Sequence, residues 1–384
     1  MAIEAIASRM KKGDEFCRKA WVDGGRLSGA VYHPEDHHWD QISSLMRMFI
    51  TVNPLHCDEF VPVTQMEAEI IRMSCNLYHG DAQTCGMGTS GGTDSILSAM
   101  LAYREQGLIE KGIKYPNIVA SETAHAAFDK AGFYFGIEIR KVPVTSDLKA
   151  DVAAMKQQID SNTVVIVSSG PEYPYGNYDP LPEIAALAQR YNIGCHLDCC
   201  LGGFINPFAE EAGYKLPYVY DFRQPGVTSI SADTHKYAYG PKGYSVCMFK
   251  NSTLRNYQLF SAMKWQGGFY ATPTMAGSRP GSVIAGTWAA LCKIGQAKYV
   301  EYTRDILAAA ANIRKEIKEE IPEIKLGTDH NSPVVSIVNL NEPDCINCIA
   351  LADVLLKHHG WGLAKTQNPQ GAHLAITLAT CYDW

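Results

Sequence analysis

Ser229-Ile230-Ser231-Ala232-Asp233-Thr234-His235-Lys236-Tyr237-Ala238-Tyr239-Gly240-Pro241-Lys242-Gly243 reads as a strand that empties into a loop. Val227 and Ile230 belong to a β-type apolar run, a polar turn with a His-Lys pair follows, and a Gly/Pro-rich loop carries a second lysine, Lys242. A lysine at a strand end beside a histidine is where a Schiff-base enzyme would hold an aldehyde cofactor; the protein supplies the amine and the cofactor the electron sink. The same run also reads as a solvated lysine after a strand. The rest of the chain has to decide between the two.

Working outward, short apolar runs alternate with helical patterns from Gly86 to Phe249. Strands are expected at Asn117–Ser121, Glu138–Val142, Val164–Ser168, Gly194–Asp198, Val227–Ser231 and Ser245–Phe249, with helices between them such as Ser95–Glu105, Ala124–Phe135 and Pro182–Tyr191. That alternation predicts an α/β domain with a mainly parallel sheet and helices on both faces. Upstream, Met66, Ile70, Met73 and Leu77 fall at helical spacing in a helix from Thr64 to Tyr78. After Ser282 the period changes: two helical stretches, Val283–Ala297 and Tyr299–Glu320, lead to strands at Val334–Leu340 and His373–Thr377 with a helix between. The expected division is an N-terminal helical arm over 1–62, a large α/β domain over 63–282 and a small C-terminal α+β domain over 283–384.

The apolar share of 46% and charged share of 19% are those of a folded globular chain. A net charge of −6 without a basic run gives no reason to expect a nucleic-acid partner. Twelve scattered cysteines suit a reducing compartment better than a disulfide scaffold, so a cytoplasmic location is expected. Cys345-x-x-Cys348 lacks a second pair and reads as one helix face. No secretory signal opens the chain, and no apolar run approaches ~18 residues, which leaves peripheral membrane association only.

Several strand ends carry chemistry. Thr89-Ser90-Gly91-Gly92-Thr93 precedes a helix, where hydroxyls and unpaired glycine amides make an anion cradle; a Gly-rich turn with an N-cap is the plain alternative. His196-Leu197-Asp198 ends a strand, with His196 and Asp198 on one face. An aspartate there can keep a cationic ring nitrogen protonated, as pyridoxal phosphate (PLP) requires; it can also simply start the Gly202-Gly203 turn. His125 opens a helix after another strand, to lie against a cofactor ring or to serve as a helix-terminal histidine. Arg279, in Ser278-Arg279-Pro280-Gly281, is either an anion binder or solvated. His33, Asp36, His37 and His38 cluster, but without regular ligand spacing, and no metal is expected.

Phosphate cradle, stacking imidazole, ring-nitrogen acid and lysine follow one another in the order that resembles fold-type I PLP enzymes. GRLSGAVY, NPLHCDEF, TSGGTDSI, SETAHAAFDKA, HLDCCLGGF, SISADTHKYAYGPKG and WQGGFYATPTMAGSRPGS together resemble the sphingosine-1-phosphate lyase family, within the group II decarboxylase-like PLP enzymes, over about Gly25 to Thr377. The resemblance implies carbon–carbon cleavage of a phosphorylated long-chain base by a homodimer with shared active sites. It implies that Lys236 carries the cofactor aldehyde, Asp198 bonds the ring nitrogen, His125 stacks on the ring, and Gly91, Gly92, Thr93 and His235 hold the cofactor phosphate. Tyr32, Asn53 and His56 of the arm would reach the partner's site, and Lys242 with His56 would bind the substrate phosphate. Tyr173 lies where family members carry an aromatic near the substrate and would carry a proton; the released Lys236 amine and the substrate phosphate are the other candidates. Cys199 stands where the family motif usually has alanine, and the resemblance implies further helix beyond Trp384. The alternative on the same fold is a PLP-dependent amino-acid decarboxylase, which would lack the phosphate site that Lys242 suggests.

Overall fold

In the computed structural model, residues 25–34, 37–339 and 346–382 are described. They divide into two compact units. The large unit comprises His37–Tyr173 and Asn177–Val300. The small unit gathers the described residues of Met1–Asp36, Pro174–Gly176 and Glu301–Trp384. The arm expected over 1–62 is therefore shared between the units, and the boundary expected at 283 falls at Val300. The reason is the helix Gly281–Glu320, whose first half buries Ile284, Ala285, Ala290 and Leu291 in the large unit. Two helices were expected here, and the helical path is interrupted at Gly295, with φ 67° and ψ 167°.

The large unit is built on seven strands: β1 (Cys85–Thr89), β2 (Asn117–Ser121), β3 (Glu138–Val142), β4 (Thr163–Ser169), β5 (Gly194–Asp198), β6 (Ser229–Ala232) and β7 (Ser245–Phe249). Their order is β1-β7-β6-β5-β4-β2-β3, and only β7 runs against the rest. β4 is buried along its whole length, which accounts for its continuous run of Val164-Val165-Ile166-Val167. The helix Gly92–Lys111 buries Ile96, Leu97, Ala99, Met100 and Tyr103 in the core it shares with Ile118, Val165 and Phe249.

β1 escaped the sequence reading because Gly86 and Gly88 erase its alternation. Gly88 is required by packing: a Cβ there would collide with the Tyr244 hydroxyl and the Glu67 carboxylate. Those two groups belong to a half-buried network, since Arg279 grips Glu67 with both terminal guanidinium nitrogens and Tyr244 Oη donates to Glu67 Oε1 at 3.0 Å. Arg279 is thus neither solvated nor open to an anion. A hairpin of β8 (Phe260–Ala262) and β9 (Tyr270–Thr272) completes the unit's sheets.

The small unit holds an antiparallel sheet, β10 (Lys325–Leu326), β11 (Val334–Val338), β12 (Ala364–Thr366) and β13 (Gly371–Ala375), in the order β10-β11-β13-β12. Buried His373 Nδ1 lies 2.9 Å from the Pro174 carbonyl within this unit. The helix Cys348–His359 opens at Cys348, with Asn347 capping two amides; Cys345 lies outside the described residues. No helix among the described residues is long and apolar enough to cross a membrane.

Candidate active site

Parallel strands point their carboxyl ends to one edge of the sheet, and the large unit's chemistry gathers there. β1 ends at Thr89 and passes through Ser90 and Gly91 into the helix Gly92–Lys111. Asp94 Oδ2 accepts from both the amide and the hydroxyl of Ser90, at 2.8 and 3.0 Å, and so fixes the turn. Below it, Thr89 Oγ1 and Ser245 Oγ meet Ser95 Oγ at 2.6 and 2.9 Å. The amides of Gly92 and Thr93 open the helix, where no preceding turn can accept from them. Gly91 has φ 150°, and a Cβ on it would approach the His235 ring at 3.6 Å. A Cβ on Gly92 would come within 2.8 Å of both Asp233 Oδ1 and Cys200 Sγ. Gly92 thus lets the helix start pack directly on Asp233 and Cys200, and the amides that open the helix are donors of the kind a phosphate takes.

Lys236 follows β6. Its Nζ lies 3.0 Å from Asp233 Oδ2, an i,i+3 pair in which Asp233 is 3% exposed. Burial pushes the Asp233 carboxyl up, but the neighbouring Lys236 and His235 outweigh it and hold the pKa below the usual carboxylate range. Asp233 Oδ1 is buried without a hydrogen-bond partner among the described residues. His235 Nδ1 sits 2.9 Å from the Tyr244 carbonyl and its Nε2 is 3.5 Å from Asp233 Oδ2; burial pushes its pKa down. Lys242 Nζ donates to the His235 carbonyl at 3.3 Å, and desolvation followed by the charge of Lys236 holds it below the usual lysine range.

Asp198 ends β5, 7% exposed, with Oδ1 accepting from Cys200 N at 2.9 Å and Ser231 Oγ at 3.1 Å. Burial keeps the Cys200 thiol unionised, well above its ordinary pKa. His125 lies four residues beyond β2, exposed, its Nδ1 accepting from Ala127 N at 3.1 Å. Tyr173 is exposed four residues beyond β4, in a segment held to β5 by Gly170 N donating to the Asp198 carbonyl at 2.9 Å.

Of the arm residues, Asn53 and His56 share one turn, the His56 amide donating to the Asn53 carbonyl at 3.2 Å. Tyr32 is buried in the small unit. Asn53 belongs to the large unit, where it donates to Ser278 Oγ at 2.9 Å and accepts from the amides of Leu55 and Arg279. His56 is exposed, 3.5 Å from Glu59. Of the histidine cluster, buried His38 Nε2 meets the Tyr239 carbonyl at 2.9 Å and His37 meets Asp40 at 3.2 Å, while Asp36 lies outside the described residues.

The chain matches the model of the pyridoxal-dependent decarboxylase conserved domain over residues 49–338. It is 40% identical over 375 residues to a Dictyostelium discoideum sphingosine-1-phosphate lyase, covering 97% of this chain and 69% of that one. It belongs to the sphingosine-1-phosphate lyase family. Sphingosine-1-phosphate lyase 1 of Mus musculus is 47% identical over 359 residues, 94% of this chain. The chain spans 62% of the mouse protein's length. A Burkholderia pseudomallei sphingosine-1-phosphate lyase structure superposes with a TM-score of 0.93 at 34% identity, covering 99% of this chain and 87% of that one. As a sphingosine-1-phosphate lyase family member the chain uses pyridoxal phosphate, and its own residues fit that group. The helix-opening amides of Gly92 and Thr93 suit a phosphate, the Lys236 amine suits an aldehyde, and Asp198 Oδ2 remains for a ring nitrogen.

Asp233 was missed as a site residue, although its spacing from Lys236 is an i,i+3 pair that can be read from sequence. Gly92→Ala tests the close packing of the helix start on the lysine loop. The inserted methyl would press on Asp233 and Cys200 and should raise the dissociation constant for pyridoxal phosphate about tenfold in an absorbance titration, the equivalent of ~1.4 kcal/mol. Unaltered affinity would show that the cofactor does not depend on that packing.

Proposed function

We propose that the chain cleaves the C2–C3 bond of sphingosine 1-phosphate or sphinganine 1-phosphate, giving a long-chain aldehyde and phosphoethanolamine, in sphingolipid degradation. The observation that carries this reading is the second lysine. Lys242 Nζ lies 3.3 Å from the carbonyl of the residue next to Lys236, so a second cation stands beside the cofactor lysine. An amino-acid decarboxylase on this fold needs Lys236, Asp198 and His125 but no substrate-phosphate site. The likeness to sphingosine-1-phosphate lyases favours the same choice.

Pyridoxal phosphate, when bound, supplies an aldehyde for amines and a ring that takes up the electron pair left at C2. Lys236 would hold that aldehyde between turnovers and yield it to the substrate amine, with Asp233 at 3.0 Å to position the released side chain. Asp198 would keep a proton on the ring nitrogen, and His125 would lie on the ring face. Gly91, Gly92, Thr93 and His235 would hold the cofactor phosphate, and Lys242 the substrate phosphate. By holding the substrate phosphate, Lys242 would fix the direction of the C2–C3 bond, which would select it for cleavage by position. The C3 hydroxyl then gives its proton to a base, C3 becomes the aldehyde carbonyl, and C2 is protonated. Tyr173, the released Lys236 amine and the substrate phosphate are the three bases within the reading.

A homodimer with shared sites belongs to the same proposal. Tyr32, Asn53 and His56 of each copy would then serve the other copy's substrate phosphate. The β8–β9 hairpin supports an apolar contact of this kind, since Phe260, Met263, Trp265 and Phe269 are each more than half exposed. Cysteine usage supports a cytoplasmic setting, with membranes met only peripherally through the substrate.

Purified protein loaded with pyridoxal phosphate should convert sphingosine 1-phosphate into equal amounts of phosphoethanolamine and aldehyde; carbon dioxide released from an amino acid instead would overturn the assignment. Lys242→Ala should raise KM for the phosphorylated substrate about ten- to a hundredfold, the worth of a charge-assisted hydrogen bond, and leave cofactor affinity unchanged. Equal cleavage of unphosphorylated sphingosine by the wild type would remove the phosphate anchor from the reading.

A further inference from the structure

A line of buried polar side chains runs along β5 and β6 toward Asp198. The parallel register sets His196 opposite Ser229 and Asp198 opposite Ser231, and strand alternation turns all four to one face. The Tyr103 hydroxyl, from the helix Gly92–Lys111, lies 2.6 Å from Ser229 Oγ. Ser229 Oγ lies 2.7 Å from His196 Nδ1, and His196 Nε2 lies 3.2 Å from Ser231 Oγ. Ser231 Oγ donates to Asp198 Oδ1 at 3.1 Å. Tyr103, Ser229, His196 and Ser231 are all fully buried.

The polarity of this line follows from its last bond. Ser231 spends its one hydroxyl proton on Asp198, so its oxygen accepts from His196 Nε2–H. Burial pushes the His196 pKa down to about 4, so the neutral ring carries a single proton and Nδ1 is bare. Nδ1 therefore accepts from Ser229. Thr228 gives its own hydroxyl proton to the Cys195 carbonyl at 3.1 Å, so the Tyr103 hydroxyl is the donor toward the two oxygens beside it, Ser229 Oγ at 2.6 Å and Thr228 Oγ1 at 2.7 Å. From Ser229 on, each hydrogen bond points toward Asp198, an alignment in which successive bonds strengthen one another.

A carboxylate turns easily about its last torsion, and two donors on one oxygen stop it. Here both donors, Cys200 N and Ser231 Oγ, meet Oδ1, and no hydrogen bond among the described residues reaches Oδ2. We propose that His196 is a positioning residue: by fixing the Ser231 hydroxyl it anchors Asp198 Oδ1 and aims Oδ2 at the cofactor's ring nitrogen. His196 has this role only if Asp198 meets that nitrogen, as proposed above. A purely structural role would rest instead on its edge contact with Phe128, ring centroids 5.9 Å apart.

His196→Gln retains an N–H for Ser231, whereas His196→Phe fills the space without one. The phenylalanine variant should raise the dissociation constant for pyridoxal phosphate about ten- to a hundredfold and move the pH midpoint of the bound cofactor's visible absorbance. The glutamine variant should stay within about threefold of wild type, on the same scale. Ser231→Ala should behave like His196→Phe, and stands in for it if the phenylalanine variant does not fold. Wild-type affinity and an unmoved midpoint in Ser231→Ala or folded His196→Phe would overturn the proposal while Asp198→Ala still loosens the cofactor. If Asp198→Ala binds the cofactor normally, the assignment of Asp198 itself falls, and the role of His196 with it.

Discussion

Lys236→Arg should cut aldehyde production on the order of 10²–10⁴-fold, the range that follows loss of a group handling bonds and protons at the reacting centre. Arginine keeps a cation near Asp233 but cannot form the carbon–nitrogen double bond with the cofactor aldehyde. The arginine variant is therefore the cleaner test. Lys236→Ala also strips a carboxylate only 3% exposed of its nearest cation, 3.0 Å away. Removing one partner of such a buried pair costs about 3–5 kcal/mol, so the alanine variant would mix folding with chemistry. Absorbance in the visible range, product analysis and thermal unfolding on the same preparations separate the effects. Normal turnover by a folded arginine variant would remove Lys236 from the reaction.

Acid should destabilise both units through one buried histidine each. Burial lowers the pKa of His196 in the large unit and His373 in the small unit from 6.5 to about 4. The folded chain favours the neutral ring, so this contribution is fully present above pH 6.5 and is lost as pH falls toward 4. A gap of about 2.5 units at 1.36 kcal/mol each amounts to ~3 kcal/mol per histidine. Denaturant unfolding at pH 7, 5.5 and 4 should show the fall. His373→Gln keeps a donor for the Pro174 carbonyl but cannot titrate, so it should flatten the acid limb by about one proton's worth of slope. An acid limb identical in wild type and His373→Gln would place the lability elsewhere.

Three strands readable in advance, Asn117–Ser121, Gly194–Asp198 and Ser245–Phe249, coincide with β2, β5 and β7 and are buried along their whole length. Glu138–Val142 coincides with β3, a mostly uncovered strand at the end of the sheet order. β1 could not be read, because Gly88 answers to Tyr244 and Glu67 and Gly86 to Cys247 and Ile71, none of them near it in sequence. Arg279 was misjudged for the same reason: its carboxylate partner is more than two hundred residues upstream. Asp233 was within reach, since a three-residue spacing to Lys236 is local.

The amino-acid sequence alone determined the cofactor class, because the strand-end motifs that carry the family resemblance are short, local and ordered along the chain. It also determined the alternation that makes a parallel sheet, since period and apolar content are properties of each segment. Tertiary structure decided what those motifs touch. The pairing of β5 with β6 brings His196 and Asp198 against Ser229 and Ser231, some thirty residues away, and turns two alternating tripeptides into one directed line of hydrogen bonds. Register between strands is set by packing across the sheet, and no single strand carries that information.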